Sequence, residues 1–323
     1  MREITYIQAV NEALREEMER DPNVFVIGED VGELGGGFGA TKGLLAQFGP
    51  KRVRQTPISE SGFTGLGVGA AMVGLRPIVE IMYIDFIATA MDQVINQAAK
   101  MFFMSGNQIN VPMVIRAPYG VGSREAAQHS QSPESWFVNT PGLKVVMPAT
   151  AYDAKGLLKT GIRDNAPVFF IENRMLYFSP EKVPEGEWLV PFGQAAVKRE
   201  GKNITVVALS GMVPKALQAA ESLGKEISVE VIDPRTLVPL DAGAIISSVK
   251  KTGRLLVVHD APVRNGFGAE IVRRVVAEAF DYLDAPPQVL GGLNTPIPFS
   301  PPLEDVCIPQ VKDIIDKIKE IIA

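Results

Sequence analysis

The chain alternates between short unbroken apolar runs and longer stretches in which apolar residues recur every three or four positions. In the first half the run 24–27 is wholly apolar, and 77–83, 111–116, 143–148 and 168–172 are apolar but for one charged residue each. Strands buried on both faces of a parallel sheet read this way, because no side chain along them faces water. Residues 5–20 place Ile7, Val10, Leu14 and Met18 at helical spacing, with Thr5 and Gln8 set for a capping box. Further helices are expected over 88–104 and 151–162. Apolar strands alternating with helices define an α/β domain with a parallel sheet covered on both faces.

The same rhythm restarts later, with strands at 204–209, 229–233 and 254–259, helices at 213–223 and 268–280, and an amphipathic tail over 310–322. Between the halves lies a polar stretch with Pro180 and Pro184, which reads as a linker. The expected division is 1–185 for the first α/β domain, 186–202 for linker and entry, and 203–323 for the second.

Two loops and one helix break the pattern. Loop 32–43 carries Gly35, Gly37 and Ala40 in the order G-x-G-x-x-A. The preceding strand ends several residues earlier, however, and Lys42 follows Thr41, so the Walker order is absent. The loop reads as the border of a site, with nucleotide binding as the competing reading. Loop 119–136 is long and holds His129; long connections in compact domains are usually functional. The stretch 56–74 begins polar, carries Glu60, and then places Gly62, Gly65, Gly67 and Gly69 in a small, apolar segment. Each glycine weakens a helix by about 1 kcal/mol relative to alanine. Their use is therefore close approach, to a neighbouring helix, another subunit or a flat ligand.

Composition narrows the function classes. With 323 residues, two domains are expected, and a net charge of −5 without a basic run excludes a nucleic-acid surface. The single cysteine, Cys307, suits a reducing compartment. No charged-then-apolar leader and no run of 18 apolar residues is present, so no membrane partner is expected and the cytoplasm or an equivalent matrix is the expected location. His129 and His259 are the only histidines, too few for a zinc cluster. No G-x-S-x-G, H-E-x-x-H or C-x-x-C occurs. Glu60, Asp85, Phe86 and His129 follow apolar strands of the first half, where open parallel sheets bind ligands. A carboxylate, an aromatic face and an imidazole suit a heteroaromatic ligand and a proton transfer. Plainer readings stand beside this one: a helix-terminal carboxylate for Glu60, core packing for Phe86 and an exposed loop position for His129.

Several blocks point further. Gly28-Glu29-Asp30, Pro57-Ile58-Ser59-Glu60, Gly74-Leu75-Arg76-Pro77, the run from Asp92 to Lys100, Gln128-His129-Ser130-Gln131-Ser132, Pro141-Gly142-Leu143-Lys144 and Asp233-Pro234-Arg235-Thr236-Leu237 occur in this order along the chain. Together they resemble the β subunit of the thiamine-diphosphate-dependent first component of 2-oxo acid dehydrogenase complexes. The resemblance implies a transketolase-like chain, a pyrimidine-binding domain followed by a transketolase C-terminal domain. It implies that Glu60 hydrogen-bonds N1′ of the aminopyrimidine and promotes loss of the thiazolium C2 proton. Phe86 would pack on the pyrimidine and Tyr83 line the same pocket. His129 would act when the acyl group passes to lipoamide, and Glu29 and Asp92 would belong to a buried polar network. A potassium ion would be held by backbone carbonyls near Met113, Gly161, Asp164 and Ala166. The Gly-Asp-Gly motif that carries Mg²⁺ and the diphosphate is absent. The resemblance therefore implies an α subunit holding Mg²⁺, an α2β2 heterotetramer with small residues 62–74 at its interface, and a dihydrolipoamide acyltransferase partner. The segment 307–323 and the surroundings of His259 are candidates for docking that partner, although His259 itself reads as structural. Pyruvate or acetoin ranks ahead of branched-chain 2-oxo acids as substrate.

Overall fold

The computed structural model describes residues 1–323 and resolves into two compact units, Met1–Tyr119 with Trp136–Phe192, and Gly120–Ser135 with Gly193–Ala323. The first contains β1 (Arg2–Thr5), α1 (Tyr6–Arg20), β2 (Val24–Gly28), α2 (Leu44–Phe48), β3 (Val53–Gln55), α3 (Glu60–Met72), β4 (Arg76–Glu80), α4 (Met101–Met104) and β5 (Val114–Tyr119). After α5 (Glu134–Val138) follow β6 (Lys144–Val146), α6 (Ala151–Arg163), β7 (Val168–Asn173) and β8 (Pro180–Val183). Thr5 caps α1 through the expected box with Gln8, which satisfies N–H groups that a helix start otherwise leaves unpaired.

Six of these strands lie in the order β6-β7-β5-β4-β2-β3 with parallel pairing throughout, while β1 and β8 form a separate antiparallel pair. From β2 the chain moves outward to β3, then returns to the other side of β2 as β4. The connections leave β2 and β4 in opposite directions, so a crevice opens between their carboxyl ends; ligands of open α/β sheets bind at such switch points.

The helix expected over 88–104 is not continuous. A 3₁₀ segment (Ile84–Ala90), a π-helix (Gln93–Ala98) and α4 replace it. The Ala99 N–H reaches back five residues to the Val94 carbonyl at 3.0 Å. Gly142 closes against this turn, and a Cβ there would stand 1.9 Å from the Ala99 carbonyl oxygen. Periodicity cannot register such an insertion, because the apolar face continues through it.

The second unit holds β9 (Ala196–Arg199), β10 (Ile204–Ala208), α7 (Met212–Leu223), β11 (Val229–Asp233), β12 (Thr236–Val238), α8 (Ala242–Thr252), β13 (Leu255–Pro262), α9 (Gly268–Ala279), β14 (Gln288–Gly292), α10 (Pro301–Asp305) and α11 (Val311–Ile322). Its sheet runs β14-β13-β10-β11-β9, parallel except for β9. Loop residues 120–135, expected with the first domain, pack here because Glu304 on α10 accepts hydrogen bonds from their backbone. No helix is long and apolar enough to cross a membrane.

Candidate cofactor site

Four of the expected site residues gather at the β2–β4 switch point. Glu29 follows β2 directly and is buried, and its Oε1 has no hydrogen-bond partner. Burial first, then the charges of Glu60 and Asp30, raise its carboxyl above the ordinary range. Glu60 is the first residue of α3, half-buried, and its Oε2 accepts from the Thr89 hydroxyl at 3.4 Å. The same single proton is shared with the nearer Phe86 carbonyl at 2.9 Å, which places the helix start beside the turn after β4. An anionic side chain suits the positive end of a helix.

Tyr83 and Phe86 occupy that turn with ring centroids 5.6 Å apart, edge to face. A row of rings runs from them into the core: Phe38 lies 5.5 Å from Tyr83 and 5.5 Å from Tyr177, and Tyr177 lies 5.8 Å from Tyr6. The Arg174 guanidinium stands 5.2 Å from the Tyr83 centroid. Phe86 and Tyr83 are half-buried and so retain surface for a flat ring. A carboxyl at a helix start, a second buried carboxyl with an unsatisfied oxygen and a partly open aromatic pair fit the aminopyrimidine half of thiamine diphosphate.

Phe38 belongs to the glycine loop. Several of the loop's amides are taken up locally: Gly36 N–H by the Asp30 carbonyl at 2.8 Å, Thr41 N–H by the Gly35 carbonyl at 2.9 Å, and the Gly37 amide by Glu80. A phosphate cradle needs such amides free, so the nucleotide-binding reading fails and the loop is a wall of the site. Beneath it lies a charge cluster that residue spacing did not disclose. Arg116 on β5 makes a two-pronged contact with Glu172 (2.7 and 2.8 Å) and a bond to Glu80 (2.6 Å). Tyr177 Oη donates to Glu172 at 2.8 Å. Gly36 has φ of +83°, and a Cβ there would lie 2.5 Å from Glu80 Oε1; only glycine lets the loop close onto that carboxylate. Burial raises the Glu80 carboxyl despite Arg116, and the Gly37 amide also binds it. Arg116→Met would leave two buried carboxylates without their cation, at an expected cost of about 3–5 kcal/mol. Urea unfolding checks this; a loss under about 1 kcal/mol would show that the cluster does not hold the loop.

Other expected residues fall elsewhere. Asp92 is exposed and accepts from Asn96 (2.7 Å) and Gln93 (3.1 Å), so it does not join Glu29 in a buried network in this chain. His129 lies in the second unit, half-buried. His259 is buried with Nδ1 2.9 Å from the Ala261 carbonyl oxygen, and burial pushes its pKa down to about 4. It is a structural group, not part of a docking surface. The carbonyls of Met113, Gly161 and Asp164 each already accept one hydrogen bond, the last from Arg76.

The glycines of α3 divide between two faces. Gly67 lies against β4, where a Cβ would stand 2.7 Å from Val79 Cγ2, and Gly65 faces Gln93. Gly62, Leu66, Gly69 and Val73, at helical spacing, form an exposed stripe. The expectation that the whole glycine run serves a subunit interface therefore holds only for this outer stripe as a candidate.

No sequence motif marks Glu134. It is buried, its Oε2 has no hydrogen-bond partner, and burial, with the nearby Asp260 adding, pushes its pKa up to about 8. A carboxyl raised above its unfolded value of 4.5 favours folding below that pH and loses the contribution as pH rises through about 8. Glu134→Gln, which cannot ionise, is expected to be more stable than the parent by about 3 kcal/mol at pH 7. Thermal melts between pH 4.5 and 8.5 should show the gap widening with pH; a gap that narrows contradicts the assignment.

Comparison with known proteins agrees with this geometry. Residues 2–180 match the family model "Transketolase, pyrimidine binding domain" and residues 193–314 match "Transketolase, C-terminal domain". A split-gene transketolase, described as an inactive beta4 tetramer, superposes with a TM-score of 0.80 at 23% identity, covering 99% of this chain and 98% of that one. These define the class, a transketolase-like α/β protein with a pyrimidine-binding domain. The pyruvate dehydrogenase E1 component subunit beta of Rickettsia felis is 50% identical over 320 residues, covering 99% of this chain and 98% of the relative. The mitochondrial beta-1 subunit of Arabidopsis thaliana is 48% identical, covering 97% and 88%. The chain belongs to the family of pyruvate dehydrogenase E1 β subunits.

Proposed function

We propose that the chain is the β subunit of a thiamine-diphosphate-dependent pyruvate dehydrogenase E1 component, active only with an α subunit in an α2β2 heterotetramer. The observation that carries this is the gathering of Glu29, Glu60, Tyr83 and Phe86 at one switch point in a chain without the Gly-Asp-Gly motif. Such a chain holds the pyrimidine, and the α subunit supplies the Mg²⁺ and diphosphate half. When bound, the cofactor supplies the electron sink for decarboxylating a 2-oxo acid. With the cofactor bound, Glu60 would share a proton with a ring nitrogen, Glu29 would stand in the same wall as a buried second carboxyl whose pKa burial and the Glu60 charge raise, and the Tyr83–Phe86 pair would orient the ring.

The exposed stripe on α3, with Ile58 at 82% and Phe103 at 83% exposure, supports an α-subunit interface. Pyruvate is favoured because the relatives quoted above act in pyruvate dehydrogenase. Acetoin is the second candidate, and nothing favours branched-chain acids. A potassium ion at the carbonyls of Met113, Gly161, Asp164 and Ala166 is supported by the α6 C-terminus, whose dipole attracts cations. A reducing aqueous compartment, the cytoplasm, suits the lone Cys307.

The acyl group then passes to lipoamide on a dihydrolipoamide acyltransferase, with His129 moving the proton of that step. His129→Ala in the assembled enzyme is expected to slow lipoamide acylation from pyruvate by about 10²-fold and decarboxylation with an artificial electron acceptor far less. Equal losses in the two assays would sink this role.

A further inference from the structure

The loop that carries His129 contains an arrangement that the chemistry above does not use. Every second residue from Gly120 to Ala126 has a positive φ: Gly120 at 113°, Gly122 at 124°, Arg124 at 63° and Ala126 at 62°. Two of these are not glycine, and left-handed backbone at such residues persists only where the surroundings enforce it. Backbone that alternates in this way can turn successive amides toward a shared concavity, a nest that binds anions.

The anion is supplied from within the same unit, some 180 residues further along the chain. Glu304 Oε1 accepts from the Gly122 N–H at 2.7 Å and the Arg124 N–H at 3.4 Å. Its Oε2 accepts from Arg124 Nη1 at 2.9 Å, and the same guanidinium donates to the Pro301 carbonyl at 2.9 Å and pairs with Asp305 at 2.8 Å. The Glu304 side chain is fully buried, although its neighbours Leu303 and Val306 are exposed. A buried carboxylate costs stability unless its oxygens are satisfied, and here the loop backbone satisfies them. From the end of the nest the chain turns directly into His129, whose N–H donates to the Ala126 carbonyl at 3.3 Å.

We infer that Glu304 is a positioning residue for His129. Its carboxylate holds residues 122–126 in their left-handed geometry and so sets the turn on which His129 is presented. The inference rests on the reading of His129 as the acyl-transfer residue.

The test uses Glu304→Ala, Glu304→Gln, His129→Ala and the double variant Glu304→Ala/His129→Ala, each assembled with the α subunit. Lipoamide acylation, decarboxylation with an artificial acceptor and hydrogen exchange of the peptide 120–129 are measured. Glu304→Ala should lower acylation by about 10–10²-fold, change decarboxylation by less than about twofold and speed exchange in that peptide. Glu304→Gln keeps one oxygen for the two amides and should fall between parent and Ala, so it carries the test if the Ala variant does not assemble. In the His129→Ala background the Glu304 change should add no further loss. Parent-like acylation and exchange in Glu304→Gln, equal loss in both reactions, or an additive loss in the double variant would overturn the positioning role. An acylation defect in His129→Ala with none in Glu304→Ala removes the positioning role alone. Unimpaired acylation in His129→Ala removes the reading beneath it.

Discussion

Glu60→Gln, introduced into the complete α/β enzyme, is expected to lower turnover of pyruvate by about 10²–10⁴-fold, the range for loss of a positioned proton-transfer group. Gln keeps the size of the side chain and an oxygen for the Thr89 hydroxyl, which now reaches Glu60 at 3.4 Å. It cannot take or return a proton. Glu60 caps no part of the core and is half-buried at a helix start, so the loss should come without unfolding, and the melting temperature of the assembled variant should stay close to that of the parent. Glu60 also adds to the upward push on the Glu29 carboxyl. Removing its charge should therefore let Glu29 titrate closer to the ordinary carboxylate range, though burial, the larger cause, remains. Turnover above about one tenth of the parent would show that Glu60 is not the proton-handling group.

The second large effect is expected from omitting the α subunit: the chain alone should show no turnover of pyruvate. Its switch point gathers two carboxyls and two rings, and the chain has no group of three or more His, Cys, Asp or Glu placed to hold a metal ion. The expected loss follows from the proposal that the partner supplies the metal and diphosphate half of the site and covers the α3 stripe. Leu66 and Val73, 47% and 81% exposed, stand in a row with Gly62 and Gly69. Such a row of small and apolar residues suits close packing of a second chain against it.

Much of this was legible from residue pattern alone. The capped first helix, the apolar strands and the placement of Glu29, Glu60 and Phe86 near strand ends follow from periodicity and from the parallel-sheet rule. What escaped did so for identifiable reasons. The π-helix at Gln93–Ala98 preserves the apolar face while adding a residue to the turn, so the period hides it. The Arg116–Glu80–Glu172 cluster joins three strands that are neighbours only in the folded sheet. Loop 120–135 follows a strand of the first unit yet packs with the second, because its anchoring carboxylate, Glu304, lies far along the chain. Gly65 and Gly67 share the sequence character of the rest of the glycine run, and only three-dimensional packing separates this inward-facing pair from the exposed stripe. Asp92 shares a block with residues near the site and still points its bonds along its own helix.

The claim that this chain carries half of a cofactor site is tested most directly by calorimetric titration of thiamine diphosphate in the presence of Mg²⁺. The titration is run on the chain alone, the α subunit alone and the two together. Tight binding is expected only for the assembled pair, with affinity at least about 10²-fold weaker for either part. Equally tight binding by the isolated chain would contradict it.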